Sequence, residues 1–373
     1  MEGYSSHMSI VLIFCRSPHV AGTIGEVCRE VAAGIMSMGM EPVFVSSCEP
    51  ISYIEPVDGI GYPVSVDGKI LACFCSPDNT IIALYEHIIN YKPSHIFSIG
   101  ERVEMELASA ALQVAGTSVL HYHLWIGSSS PSSSVLESSG RTDAIMCFGK
   151  STALSFKNHA KRVVATEVRR HGDIEPRYRS RGMVAMTGGP SNDSANLLCV
   201  ADALSGSNIL VNFVTNLYEQ GDYDVRTFCE SMNVNSSYGE EPLGTFYGLD
   251  NDAAMKIAHY SDIVIDMSIK QASCLAVDSC VRAGCLPILC RTPRHMEFLT
   301  VRGLAKEHID AITVPCAQFR PGGGDCIWIA DPEILKEKLN SVKVISFVDS
   351  IIRTLGCGSD SLPTLRQEIN KIF

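Results

Sequence analysis

Short apolar runs of strand length recur along this chain with helix-length segments between them, and that alternation limits the fold more than any other feature. The run 9–14 (Ser-Ile-Val-Leu-Ile-Phe) carries no polar residue after its first. A run this short and uninterrupted predicts a parallel strand covered on both faces. The loop Gly22-Thr23-Ile24-Gly25 follows, then a predicted helix over 26–38 whose Val27, Val31, Ile35 and Met38 fall at spacings of four, four and three. Gly39 stops it and 42–45 reads as the next strand, which completes a βαβ unit with a glycine loop at the strand's carboxyl end.

The same grammar continues. Strands are predicted at 95–99, 118–120, 144–147 and 162–165, with helices at 81–90 and 104–114. A second series opens at 182–187 with a Gly188-Gly189-Pro190-Ser191 turn and runs through 209–214, 262–265, 285–290, 311–314 and 326–329. Alternation of this kind gives an α/β protein. Its 373 residues fit two units of ordinary size, which we read as doubly wound Rossmann-like domains over 9–175 and 176–355, with 356–373 as a C-terminal helix packing back on the first.

With 46% hydrophobic residues, 19% charged residues and a net charge of −11, the chain is not disordered and is a poor match for a nucleic-acid or anionic-membrane binder. No apolar run approaches the ~20 residues of a membrane span, and the leading residues lack a basic n-region, so a cytoplasmic location without a membrane span is expected. Fifteen cysteines follow no framework of regular spacing and are read as buried, redox-inert thiols. Cys73-x-Cys75 has no partner pair at zinc-ligand spacing, so no metal is expected.

Four constellations can carry chemistry. The glycine loop, with Gly22, Thr23 and Gly25, can bring backbone N–H groups to an anion, although it lacks the Gly-x-Gly-x-x-Gly of a nicotinamide site. His121 and His123 are expected to leave a strand at its carboxyl end, where an imidazole can hydrogen-bond a sugar hydroxyl or move a proton; the alternative is a pair of core histidines. Between 161 and 181 seven Lys/Arg face three acids, densest at Arg169-Arg170, which is either a solvated linker or a phosphate clamp. In the stretch 262–289, a helix beginning near Ser273-Cys274-Leu275 aims free N–H groups above the sheet, again a phosphate site. Two loops complete the inventory. The Ser-rich 127–140 is expected to be irregular and flexible, and the glycine run 321–325 is a turn or a phosphate nest.

The order of elements resembles the GT-B glycosyltransferases of the retaining, nucleotide-sugar-dependent group. The resemblance rests on 17–25, on a histidine after a middle strand (His121 or His123), on 253–265, and on the loop and helix from 268 to 287. It implies a donor in an interdomain cleft, a nucleotide-diphosphate sugar as co-substrate with no other cofactor, and a carbohydrate or glycan acceptor whose hydroxyl attacks from the first domain. It also implies retention, without metal. Two departures stand out. The family's paired glutamates fall on Gln271 and on Ser279 beside Asp278, and its Arg and Lys after the first strand of the second domain fall near Gly188 and Asp193. If the chain is active, Gly188, Gly189 and Ser191 with Arg169 and Arg170 would replace the cations. If it is not, the shell persists in a non-catalytic binding or assembly protein that has lost donor binding.

Overall fold

The computed structural model describes residues 9–15, 23–46, 69–72, 77–168, 184–188, 194–215, 245–247, 257–268, 274–342, 348–357 and 362–373. The first unit contains β1 (Ile10–Cys15), α1 (Thr23–Ser37), β2 (Glu41–Ser46), β3 (Lys69–Ala72), α2 (Pro77–Tyr91), β4 (His95–Gly100) and α3 (Arg102–Ala115). It continues with β5 (Leu120–Trp125), α4 (Ser133–Ser139), β6 (Ala144–Phe148), α5 (Lys150–Phe156) and β7 (Val163–Thr166). Its seven strands are all parallel, in the order β3-β2-β1-β4-β5-β6-β7. The uninterrupted apolar strand 10–15 is explained by cover on both faces. Val11, Ile13 and Cys15 pack with α1, whereas Leu12 and Phe14 pack with α2 and α3.

Six further strands form the second sheet: β8 (Val184–Gly188), β9 (Leu210–Thr215), β10 (Thr245–Tyr247), β11 (Ile263–Asp266), β12 (Leu286–Cys290) and β13 (Thr313–Val314). Their order, β10-β9-β8-β11-β12-β13, repeats the central pattern of the first sheet, and all pairs are parallel. Around them lie α6 (Ser194–Leu204), α7 (Leu275–Arg282), α8 (Pro293–Val301) and α9 (Lys306–Ile312). The expected strand at 326–329 is not a seventh member of this sheet. It is β15 (Ile327–Ala330), paired antiparallel with β14 (Cys316–Phe319) in a ribbon of its own. The ribbon's turn holds Gly322 and Gly323 at φ of 53° and 78°.

The helices start and stop at residues that satisfy their ends. A reciprocal capping box of Glu101 and Glu104 opens α3, and Gly116 closes it at φ 60°. Thr292 caps α8 before Pro293, and Asp331 caps α10 (Pro332–Ser341) before Pro332. After α11 (Val348–Cys357) the chain returns to the first unit, where Leu365 and Ile369 of α12 (Leu365–Asn370) join the core formed by α1 and the sheet. The two crossing segments run side by side. Glu167 N–H donates to Pro363 O at 3.2 Å, and Leu365 N–H donates to Glu167 O at 2.7 Å.

The Ser-rich segment departs from expectation. Ser128, Ser129 and Ser132 are buried, and 133–139 is α4. Small hydroxyl side chains fold back on local acceptors, as when Ser139 Oγ donates to Leu136 O at 2.6 Å, and so leave room for close packing. Gly127 is required here, because a β-carbon would stand 2.5 Å from the Trp125 ring. The segment does not hang free over a cleft but docks on the ribbon of the second unit. Ser128 Oγ donates to Cys326 O at 3.1 Å, Cys326 N–H to Ser130 O at 3.0 Å, and Ser132 N–H to the Asp325 carboxylate at 2.8 Å. The 321–325 run is therefore a docked ribbon turn.

Candidate functional site

Doubly wound sheets bind ligands at the carboxyl ends of their strands, where the strand order reverses. In the second sheet that point lies between β8 and β11, at Gly188 and Asp266. The helix that follows β11 is α7. Cys274, its N-cap residue, is buried and supplies no side-chain cap, so the first-turn amides of Leu275, Ala276 and Val277 carry the positive end of the helix dipole. Leu275 packs into the core of the first unit together with Val168 and Leu124. The start of α7 thus lies where the two units meet.

Asp266 closes β11. Its carboxylate accepts from Ser268 N–H at 2.9 Å and faces His295 Nε2 at 3.4 Å, while His295 Nδ1 donates to Cys290 O at 2.8 Å. Burial pushes the carboxyl upward, but the His295 and Ser268 contacts outweigh it and hold Asp266 below its ordinary range. The pair fixes both ends of the strand-to-loop transition ahead of α7.

A buried charge cluster ties the units together beside this point. Arg294 at the start of α8 is 2% exposed and pairs with Glu167 at the end of β7, while its second nitrogen lies 3.7 Å from Glu297. Burial disfavours the guanidinium's charge, yet the neighbouring groups, Glu167 and Glu297 among them, raise its pKa. Glu297 also caps a helix of the other unit: it accepts from Lys150 N–H at 2.6 Å, Ser151 N–H at 2.9 Å and Ser151 Oγ at 2.6 Å at the start of α5. Gly149, at φ 84°, leaves the space this needs, since a β-carbon there would stand 2.5 Å from an Arg294 nitrogen.

Apart from the two histidines, the predicted site residues divide four ways. Gly188 ends β8 at the switch point, and Cys274 and Leu275 open α7, the helix that follows the neighbouring strand β11. Thr23 opens α1 and Gly25 is buried in it. Gly22, Arg169, Arg170, Gly189, Ser191, Gln271 and Ser273 lie outside the described residues. Asp278 and Ser279 sit on α7 but are engaged elsewhere. The Asp278 carboxylate pairs with Arg302 and, at 3.3 Å, with Arg282, and Ser279 Oγ donates to Leu275 O at 2.7 Å.

The histidines require a correction. They do not leave the strand at its carboxyl end; both lie within β5, on the face that packs against α3. His121 is 2% exposed and His123 is 0% exposed. Ser98 Oγ bridges His121 Nε2 and His123 Nδ1, each at 2.7 Å, and Ser109 Oγ lies 3.2 Å from His121 Nδ1. Desolvation lowers His121 to about 4 and His123 well below its ordinary value. A substrate does not reach them in this arrangement. Local propensity does not single out 121–125 as a strand, because two histidines stand in it; packing inside the core decides the strand here.

Sequence reasoning missed Arg294, Glu297, Asp266 and His295. A signal was present: Thr292-Pro293-Arg294 directly after an apolar strand marks a helix start at a strand's carboxyl end, the position at which this architecture places functional groups.

Two parallel sheets of Rossmann order joined by a double crossover define a GT-B glycosyltransferase-like fold. Solved structures share it over almost the whole chain. A glycosyltransferase from Rickettsia africae superposes with a TM-score of 0.62 at 12% identity, covering 98% of this chain and 97% of its own. WaaG, a glycosyltransferase involved in lipopolysaccharide biosynthesis, does so with a TM-score of 0.62 at 9% identity, covering 97% and 99%. The UDP complex of MnaA from S. aureus gives 0.60 at 11% identity, covering 98% and 95%. No protein-family model and no curated protein matches the sequence. Among the described residues no helix is long and apolar enough to cross a membrane.

Proposed function

We propose that the chain transfers a sugar from a nucleotide-diphosphate donor to an acceptor hydroxyl. The observation that carries this reading is the start of α7, the helix after β11, where Cys274 provides no side-chain cap for the first-turn amides and Leu275 packs against the first unit. Backbone amides at such a terminus suit a diphosphate because they need no reorganisation as charge develops on the leaving oxygen. Arg169 and Arg170, from the basic crossover, would supply the charge that Gly188 and Asp193 do not. The bond from the sugar's anomeric carbon to phosphate breaks as the acceptor oxygen bonds to that carbon. The acceptor proton passes to the departing phosphate, so no carboxylate base is required and Gln271 is acceptable near the donor sugar. Retention, metal independence and a glycan acceptor belong to this reading. The likeness to MnaA with UDP and to two glycosyltransferases supports it at the level of the fold. His121 and His123 enter as residues that fix β5 rather than as proton carriers.

A second reading, a binding or assembly protein that has lost the donor, draws support from one observation. Asp278 and Ser279, the groups that would hold the ribose, are engaged with Arg302, Arg282 and Leu275 O. Calorimetry with uridine, guanosine and adenosine diphosphate sugars separates the two. Saturable binding of one donor, weakened by Ala276→Pro, which removes an exposed first-turn amide, and by Arg170→Ala, is expected for the transferase. Absence of a signal from all three nucleotide classes overturns the transferase reading, and a persistent protein partner on pull-down is then expected for the second.

A further inference from the structure

Contacts between the two units follow the order of strands in the first sheet. Glu167, directly after β7, pairs with Arg294, and the two crossing segments run beside it. β6 leads into α5, whose first amides, at Lys150 and Ser151, are held by Glu297. β5 leads into 128–132, which meets the ribbon turn. The next strand is β4, and the order reverses between β4 and β1, so the contact after β5 is the last before the first sheet's own switch point. β5 lies two strand spacings, about 10 Å, from β7. The two ends of this row differ in kind. At β7 the chain crosses twice, the Arg294–Glu167 pair is buried, and Leu275 of the second unit joins the apolar cluster that holds Val168. At β5 the contact is polar. Besides the bonds that Ser128, Ser130 and Ser132 make to Cys326 and Asp325, Arg320 Nη1 donates to Pro131 O at 3.3 Å. Arg320 also donates to Gly324 O at 3.0 Å, which ties the ribbon turn into one piece. Beneath this contact the cluster of Trp125, Val135 and Phe156 draws, among the described residues, on the first unit alone.

We infer that 128–132 and 320–326 form a latch beside the switch point of the first sheet, and that it opens and closes about β7 while the crossover stays joined. Its release exchanges hydrogen bonds between the units for hydrogen bonds to water, a change of small net cost, and parts no buried apolar cluster among the described residues. The serine segment and the ribbon turn then separate as two intact surfaces. Opening starts on the side that faces β4 and β1 and stops at α5, where Glu297 keeps its hold on Lys150 and Ser151. Asp325 is the keystone, since its carboxylate reaches across from the ribbon to the Ser132 amide at the start of α4. The latch does not depend on nucleotide-sugar binding.

The test is hydrogen exchange of the whole chain, read by mass spectrometry of its peptides and corrected for intrinsic rates. Peptides covering 126–134 and 324–328 should be equally protected, and less so than those covering 150–152 and 165–168, because local opening frees the Ser132 and Cys326 amides while Lys150, Ser151 and Glu167 keep their acceptors. Asp325→Ala should speed exchange in 126–134 and 324–328 together by about tenfold, the loss of one bond to a charged acceptor, and leave 150–152 and 165–168 unchanged. Asp325→Asn keeps an acceptor and should restore most of the protection. Acceleration confined to 324–328 overturns the latch, as does the absence of any change with Asp325→Ala. Equal acceleration at 165–168 also overturns it, because the units then part as a whole. In the unsubstituted chain, protection at 126–134 equal to that at 165–168 has the same force even if neither variant folds.

Discussion

Arg294→Met is the substitution from which most can be learned. Methionine approximates the length of the arginine stem, so little packing is lost, but the Glu167 carboxylate loses its guanidinium partner in a site where the two side chains are 2% and 10% exposed. Glu297 suffers less, because three donors at the start of α5 continue to hold it. Removing one partner of a buried pair costs about 3–5 kcal/mol, most of it the penalty of the charge left behind. At ~1–3 kcal/mol per molar urea, the unfolding midpoint should fall by roughly 1–5 M. The pair spans the two units, so their transitions should also separate. The protein has two tryptophans, Trp125 inside the first unit and Trp328 in the ribbon of the second, and single-tryptophan variants report each unit by fluorescence. Adding Glu167→Gln should recover part of the loss by neutralising the orphaned charge. A midpoint shift worth less than about 1 kcal/mol, with the two tryptophans still melting together, would refute the reasoning.

Acid should weaken the first unit well before carboxylates titrate. His121 is lowered from 6.5 to about 4 by burial, so the unfolded chain binds the extra proton first: its contribution is intact above about pH 6.5 and is lost as pH falls toward 4. Between pH 7 and pH 5 this amounts to about 2 kcal/mol for His121, at ~1.4 kcal/mol per unit, and His123 acts in the same direction. Urea midpoints that coincide at the two pH values would contradict it. Gly34→Ala tests the seating of the C-terminal helix, because a β-carbon there would stand 2.9 Å from Ile369 Cγ2. Overpacking at ~1–3 kcal/mol should exceed the ~1 kcal/mol gained in helix propensity, and Ile369→Ala in the same background should relieve the clash; a melting temperature that rises with Gly34→Ala alone would place α12 elsewhere.

Much of this fold is legible in the order of residues because its strands are apolar throughout. The runs 9–14, 95–99 and 144–147 each lie within one residue of β1, β4 and β6. Legibility fails where packing overrides local preference. Two histidines and a tryptophan continue β5 because Ser98 and Ser109 meet three of the four imidazole nitrogens inside the core, leaving only His123 Nε2 without a hydrogen bond. A serine tract forms α4 and a docking surface because its hydroxyls find backbone acceptors and the ribbon supplies the rest. No pattern along the chain encodes partners that stand 127 and 146 residues apart, as Arg294 does from Glu167 and Ser151 from Glu297.

The same distinction bears on the two functional readings. Helix-terminal amides belong to the backbone, so the anion-binding capacity at α7 survives substitution of side chains and is common to both readings. What separates them is charge. Three acidic groups near the junction of the units, Glu167, Glu297 and Asp278, are each held by a buried or half-buried cation or by helix amides, and Arg294 and Arg302 are engaged in holding them. These two arginines therefore have no charge to give a diphosphate without exposing a buried carboxylate, at a cost of about 3–5 kcal/mol. A charge-assisted contact to phosphate returns ~1.5–3 kcal/mol, which does not offset that cost. Arg294 and Arg302 are thus poor candidates for a diphosphate clamp, and the proposed transferase reading assigns that charge instead to Arg169 and Arg170.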